Sequence, residues 1–238
     1  MRIVPLLLIL SLTVSSAAAG NEPADLLDKI LEDSVVGERI DYGIILPRHR
    51  RPLMEVLDQY ARTDPASLEK DDRLAYYINL YNATMILAVL DNGHEKFKAS
   101  DNDFAVFKSP RVRMAGKTLS LNELENNIIR KEFADPRIHA ALVCAAVSCP
   151  PIIDEAYRGH SLDKQLNMNV QRWLANPNRN VIDFKNKTLK LSKIFEWYAE
   201  DFGGRENLAK WVGDKVGHDL AGYSVEFLEY DWSLNNAQ

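Results

Sequence analysis

Both cysteines of the chain, Cys144 and Cys149, lie in one segment with His139, one of its five histidines. That segment, residues 135–151, reads DPRIHAALVCAAVSCPP and is otherwise mostly small and apolar. A cysteine thiolate attacks acyl and disulfide centres, and a nearby imidazole lowers the pKa of a thiol. The segment therefore indicates two chemistries, which are nucleophilic catalysis and thiol–disulfide exchange.

For nucleophilic catalysis, Cys144 is the predicted nucleophile because the small alanines beside it leave access. His139 is its nearest histidine in the sequence, but five residues along one straight helix would place the two about 140° apart. The helix would therefore have to begin after His139, or another base would serve. The order of residues is compatible with a papain-like or transglutaminase-like cysteine hydrolase or acyltransferase. Other candidate bases and acids are His160, His218, Asp219 and Asp231.

A disulfide between Cys144 and Cys149 depends on the backbone between them. In a continuous helix their Cα atoms would be roughly 8 to 9 Å apart, whereas a disulfide needs less than about 7 Å. Pro150 and Pro151 disfavour helix at Cys149, so the chain could turn back and let the sulfurs meet. Such a bridge could be permanent and structural, or could exchange with a small thiol such as glutathione.

Further residues are candidates for ligand binding. Asn79 and Asn82 share one face of a predicted helix beside Tyr81, where the amides could hold a substrate carbonyl or tie down a loop. Arg137 could contact an anion or pair at the surface. Ser148 and Cys149 would belong to the mobile element of a thiol-responsive site. We predict no metal site and no cofactor, because the sequence has no HExxH, no paired CxxC and no phosphate-binding glycine loop.

The elements around these residues predict an α+β fold, a helix-rich single domain over residues 20–238 with a small antiparallel sheet. Predicted helices cover 23–35, 48–61, 71–90, 121–133, 136–146, 162–174, 193–202 and 206–216. Predicted hairpins cover 111–119 and 181–191. Residues 223–230 alternate between apolar and polar side chains, which predicts a strand.

The first 19 residues have the pattern of a secretory signal peptide, with Arg2, a short apolar run and small residues up to Ala19. We therefore expect a periplasmic or secreted protein without membrane insertion after cleavage. The formal net charge of −5 argues against a nucleic-acid partner.

Four separated motifs resemble the domain-of-unknown-function family 547. They are residues 79–83 (NLYNA), 135–151, 197–202 (WYAEDF) and 230–235 (YDWSLN). The resemblance implies no assigned activity. Many bacterial members of this family are exported, in agreement with the predicted signal peptide.

From these observations we expect a cysteine-centred cleft that binds or exchanges with a small thiol or a peptide, an exchange that would also allow redox sensing. A membrane signalling protein is a further candidate partner. The alternatives are a cysteine hydrolase or acyltransferase with Cys144 and His139 as catalytic residues, and a non-catalytic interaction domain with a structural disulfide.

Overall fold

The computed structural model describes residues 22–237, so the predicted signal peptide lies outside the described residues. Helices dominate this part of the chain, in agreement with the predicted fold class. The α-helical segments are α1 (Glu22–Ser34), α2 (Tyr42–Ile44), α3 (Arg50–Arg62), α4 (Lys70–Asp91), α5 (Asp101–Lys108), α6 (Leu121–Glu123), α7 (Arg130–Phe133), α8 (Leu162–Ala175), α9 (Lys193–Trp197) and α10 (Leu208–Val216). None of the helices within residues 22–237 is long and apolar enough to span a bilayer.

Short strands complete the fold. They are β1 (Val35–Val36), β2 (Arg39–Ile40), β3 (Val112–Met114), β4 (Lys117–Leu119), β5 (Val181–Asp183), β6 (Thr188–Leu191) and β7 (Ser224–Phe227). Both predicted hairpins are present, as the antiparallel pairs β3–β4 and β5–β6. The antiparallel prediction does not extend to β7, which pairs with β6 in parallel. The parallel pairing is possible because α9 and α10 lie between the two strands in the chain and provide the crossover.

Helix α4 forms the centre of the main hydrophobic core. Sixteen of its residues are buried, with little difference between its faces, as expected for a helix surrounded by other elements. Helix α3 packs against it, and α1 packs against α3. A second apolar cluster gathers around Trp173 of α8 and Phe195 of α9, whose rings stack with centroids 4.5 Å apart.

The helix predicted over residues 121–133 is present, but its middle is a π-helix. Ser120 and Glu123 form the expected capping box at its start. The π-helical turn Leu124–Ile129 then joins α6 to α7. A π-turn contains more residues per turn than an α-helix, so it changes the direction in which side chains point, and such turns are frequent at functional sites.

The prediction of a helix over residues 136–146 is wrong. A short 3₁₀ helix, Pro136–Ala140, is followed by irregular chain, and Ala145 has a left-handed φ of 60°. The physical reason is an amide on α4. The Asn82 side chain binds the Ala141 carbonyl at 2.9 Å and the Val143 N–H at 2.9 Å, so it stabilises the extended path of this segment. The predicted helix 193–202 is likewise divided, into α9 and a 3₁₀ turn, Ala199–Phe202.

The loop of residues 141–151 carries both cysteines and is here called the cysteine loop. Residues 230–236, here called the covering segment, lie against it. Leu234 forms a β-bridge with Ala146, and the Val147 N–H donates to the Ser233 carbonyl at 2.8 Å. The Asn235 N–H donates to the Ala145 carbonyl at 3.1 Å. These backbone bonds fix the covering segment as one wall of a cavity beside the cysteines.

Candidate functional site

A cavity of about 280 Å³ lies between the cysteine loop, the helix of residues 121–133 and the covering segment. Its wall combines two sulfurs, an imidazole, a carboxylate and many aromatic rings. The lining residues are Tyr81, Phe104, Phe107, Lys108, Asn122, Glu125, His139, Leu142, Cys144, Cys149, Ile194, Trp197, Tyr198, Tyr230 and Trp232. Apolar walls with a few convergent polar groups are typical of sites for small ligands.

Cys144 and Cys149 form a disulfide in this wall, with Cα atoms 6.0 Å apart. The two sulfurs are not equivalent, because Cys149 is 1% exposed and Cys144 is only partly buried. The Cys144 backbone N–H donates to the Cys149 sulfur at 2.7 Å. The Tyr230 hydroxyl lies 3.1 Å from the Cys144 sulfur. A molecule in the cavity therefore meets Cys144 first, while the Cys149 sulfur already accepts a hydrogen bond that would stabilise its thiolate.

His139 is held by a carboxylate. Its Nε2 lies 2.7 Å from Asp201, and Asp201 also accepts two hydrogen bonds from the Arg130 guanidinium at 2.6 and 2.8 Å. Burial acts to raise the pKa of Asp201, but the hydrogen bonds from His139 and Arg130 outweigh it and hold that pKa well below its ordinary value. Asp201 is therefore ionised at neutral pH.

The ionised carboxylate fixes the tautomer of His139. Nε2 must carry the proton that it donates to Asp201, so in the neutral imidazole the lone pair is on Nδ1. Within residues 22–237, Nδ1 has no hydrogen-bond partner, and the ring is 4% exposed and lines the cavity. The Tyr198 ring stacks on the imidazole with centroids 4.2 Å apart. His139 is thus held in one orientation in the cavity wall by Asp201 and Tyr198.

A second polar group is Glu125, which the π-helical turn places in the cavity wall although it is buried. The Tyr81 hydroxyl donates to its carboxylate at 3.2 Å. Burial and the nearby Glu125 carboxylate raise the pKa of Tyr198, so this hydroxyl stays protonated. The Arg130 guanidinium lies over the Tyr198 ring, 4.8 Å from its centroid.

Aromatic rings form much of the remaining cavity wall. Tyr230 and Trp232 of the covering segment contact each other with centroids 4.5 Å apart, and Trp197 of α9 lies 4.8 Å from Tyr230. Phe104 packs on the other side of Trp232 at 4.9 Å. Trp197 is 47% exposed, so the cluster reaches from the interior to solvent.

Among the residues predicted from the sequence, four line the cavity and four do not. Tyr81, His139, Cys144 and Cys149 line it. Asn79 instead binds the backbone N–H and carbonyl of Tyr157, at 2.9 and 2.8 Å. Asn82 anchors the loop before Cys144, as described above. These two amides hold the backbone around the site in place without lining the cavity.

Arg137 and Ser148 also hold structure together. Arg137 forms ion pairs with Asp135 and Asp163, at 2.7 and 2.6 Å, away from the cavity lining. The Ser148 hydroxyl accepts a hydrogen bond from the Asp231 N–H at 2.9 Å. Ser148 therefore helps to dock the covering segment onto the cysteine loop.

Sequence reasoning missed four functional candidates. Asp201, rather than Asp219 or Asp231, is the acid partner of His139. Glu125 lies in a segment with an ordinary helical pattern. The signal that could have indicated it is an acidic residue at a position where neighbouring residues are buried. Trp197 and Tyr230 have a spacing that is equally typical of a hydrophobic core, yet both line the cavity. Within the described part of the chain, no group of three or more His, Cys, Asp or Glu side chains is placed to hold a metal ion.

Replacing Asp201 with Asn should destabilise the protein by about 2 kcal/mol at neutral pH, because it removes a charged partner of Arg130 and His139. The folded-state pKa of Asp201 lies below its unfolded value of 3.8. Its contribution is therefore complete above the unfolded pKa and is lost progressively as the pH falls from there through the lower folded-state pKa. Urea unfolding at pH 7 and at pH 3 should show the difference between wild type and D201N shrinking at the acidic pH.

The matched control is Asp214→Asn, which removes a carboxylate from an exposed pair with Lys210. Exposed pairs contribute little, so D214N should stay within about 0.5 kcal/mol of wild type. An equal loss in D201N and D214N would contradict the special role of Asp201.

Part of the chain that contributes to this site matches a known protein family. Residues 65–174 match the family model described as "Protein of unknown function, DUF547". The matched range contains the first two motifs, on α4 and in the cysteine loop, whereas residues 197–202 and 230–235 lie outside it. No curated protein and no solved structure matches the chain. This match over residues 65–174 supports the assignment of the chain to the domain-of-unknown-function family 547.

Proposed function

We propose that this protein binds a small thiol or a cysteine-containing peptide in the cavity and exchanges with it through the Cys144–Cys149 disulfide. The observation that carries the proposal is that the disulfide and His139, which Asp201 holds in one orientation, line the same cavity. A disulfide with a purely structural role has no need of an oriented base beside it. The same reaction would let the protein act as a redox sensor.

In the proposed reaction, His139 Nδ1 takes the proton of the incoming thiol. The resulting thiolate attacks the Cys144 sulfur, which forms a new sulfur–sulfur bond as the Cys144–Cys149 bond breaks. The electron pair of the broken bond leaves on Cys149 as a thiolate, and the Cys144 N–H stabilises that charge. The imidazolium then returns a proton to Cys149. A second thiol releases the ligand disulfide and leaves both cysteines reduced.

Reduced glutathione tests this proposal. The oxidised protein is incubated with glutathione, alkylated and weighed intact by mass spectrometry. We expect a mixed disulfide on Cys144 or two alkylated cysteines, formed much faster than for a buried structural disulfide in a reference protein. A bridge that remains closed in the folded protein would show that the disulfide is structural.

Acyl transfer by a cysteine is the second candidate function, because the His139–Asp201 pair resembles the base and acid of a catalytic triad. It requires reduced Cys144 as the nucleophile. Reduced protein that hydrolyses p-nitrophenyl acetate with a Cys144-dependent burst would favour acyl transfer over exchange.

Export is part of the proposal and rests on the pattern of residues 1–19. An exported protein meets an oxidising compartment, where a reversible disulfide can form. Mass spectrometry of protein from the cell envelope should give a chain that begins at Gly20. A chain retaining Met1 or Arg2 would remove this support.

A further inference from the structure

The Glu125 side chain is a polar group of the cavity wall that has no role in the proposed reaction. Glu125 is 7% exposed, yet it lines the cavity. An isolated carboxylate is costly to bury unless hydrogen bonds or an opposite charge compensate it. The Tyr81 hydroxyl provides one hydrogen bond, and Tyr198 lies nearby. These partners are neutral, so they leave the negative charge in place.

The cations near Glu125 are already paired. Arg130 makes its bidentate ion pair with Asp201, and Lys108 at the rim pairs with Asp103 at 2.6 Å. Within residues 22–237, no Lys, Arg or His side chain forms an ion pair with Glu125. The Glu125 carboxylate therefore hydrogen-bonds to hydroxyl groups alone, and the Arg130 guanidinium that acts on it through space is already paired with Asp201.

The surroundings of this carboxylate suit a cation. The faces of aromatic rings attract ammonium groups, and Tyr230 and the two tryptophans lie around the same cavity. Asn122 adds a side chain with an acceptor oxygen to the wall. An ammonium group has three donors, so it can bind the carboxylate and still face a ring.

We propose that Glu125 and the surrounding aromatic rings form an ammonium-binding subsite, and that the exchanging ligand is therefore an aminothiol or a peptide with a free amino group. The part of this inference that concerns thiols rests on the proposed function. The subsite itself does not, because it requires only the cavity and Glu125.

Benzylamine and benzyl alcohol test the subsite without any thiol. The two probes have similar shapes and differ in charge, and their binding to the oxidised full chain can be followed by tryptophan fluorescence or calorimetry. We expect wild type to bind benzylamine roughly tenfold more tightly or better, since hydrogen bonds to charged groups are strong. Glu125→Gln should reduce the ratio to about one.

The matched control is Glu55→Gln on α3, which makes the same substitution at an exposed position outside the cavity lining. E55Q should keep the wild-type preference, and circular dichroism should show that E125Q is folded. Equal binding of both probes by wild type, or a preference that survives in folded E125Q, would overturn the subsite.

The aminothiol assignment has its own measurement. Cysteamine should open the disulfide roughly tenfold faster than 2-mercaptoethanol at equal thiolate concentration, and E125Q should remove the difference. Equal rates in wild type would overturn the assignment. A disulfide that neither thiol opens, in a protein that still prefers benzylamine, would refute the proposed exchange and leave the ammonium subsite standing.

Discussion

Cys149→Ser accumulates a mixed disulfide when it is incubated with oxidised glutathione, whereas Cys144→Ser does so at least 100-fold more slowly. This outcome is expected because both cysteines line the cavity, but Cys149 is only 1% exposed whereas Cys144 is partly exposed. Exchange requires the thiolate to reach a sulfur of the incoming disulfide, and the side chains packed around Cys149 restrict that access. Intact-mass measurements at several times give both rates directly.

The two variants are matched to each other, since each removes one sulfur atom and leaves one thiol. Both should unfold at similar urea concentrations, which shows that the rates do not report local damage. Equal rates would contradict the assignment of Cys144 as the sulfur that the ligand attacks. Preferential modification of Cys149 would reverse the roles and place the leaving group in the cavity.

His139→Gln should slow the opening of the disulfide by glutathione about 100-fold at pH 7, the lower end of what a positioned general base contributes. Glutamine retains a side-chain amide that can donate to Asp201, but it has no basic nitrogen. As the pH approaches the ordinary thiol pKa of about 8.5, glutathione ionises without help. The rates of H139Q and wild type should therefore converge at high pH.

His160→Gln is the control, because His160 is exposed and lies outside the cavity lining. H160Q should react at the wild-type rate at every pH. A loss in H139Q that is the same at pH 7 and pH 9 would show that the imidazole supports the structure of the site without acting as a base.

The sequence allowed much of the fold to be predicted, because many elements carry local signals. The capping box at Ser120 marks a helix start, and the turn around Asn186 marks the β5–β6 hairpin. Helix α4 could be recognised from its long apolar run. In these cases the residues that determine the structure lie within or beside the element itself.

The segment between His139 and Cys149 could not be predicted in the same way. Its composition favours a buried helix, but its path is fixed by Asn82, which is about 60 residues away in sequence, and by the covering segment. The pairing of His139 with Asp201 depends in the same way on distant parts of the chain. The sequence therefore located the cysteines and the histidine, but it did not indicate their partners.

The docking of the covering segment also has a consequence for the order of folding. Ala146 and Leu234 pair across 88 residues (234 − 146), so the cavity closes only after a large loop has been ordered. Helices such as α4 need no such closure. Before the covering segment docks, soluble oxidants and folding catalysts can reach both thiols freely. After docking, the covering segment forms one wall of the cavity, so only molecules that fit its volume of about 280 Å³ can reach the sulfurs.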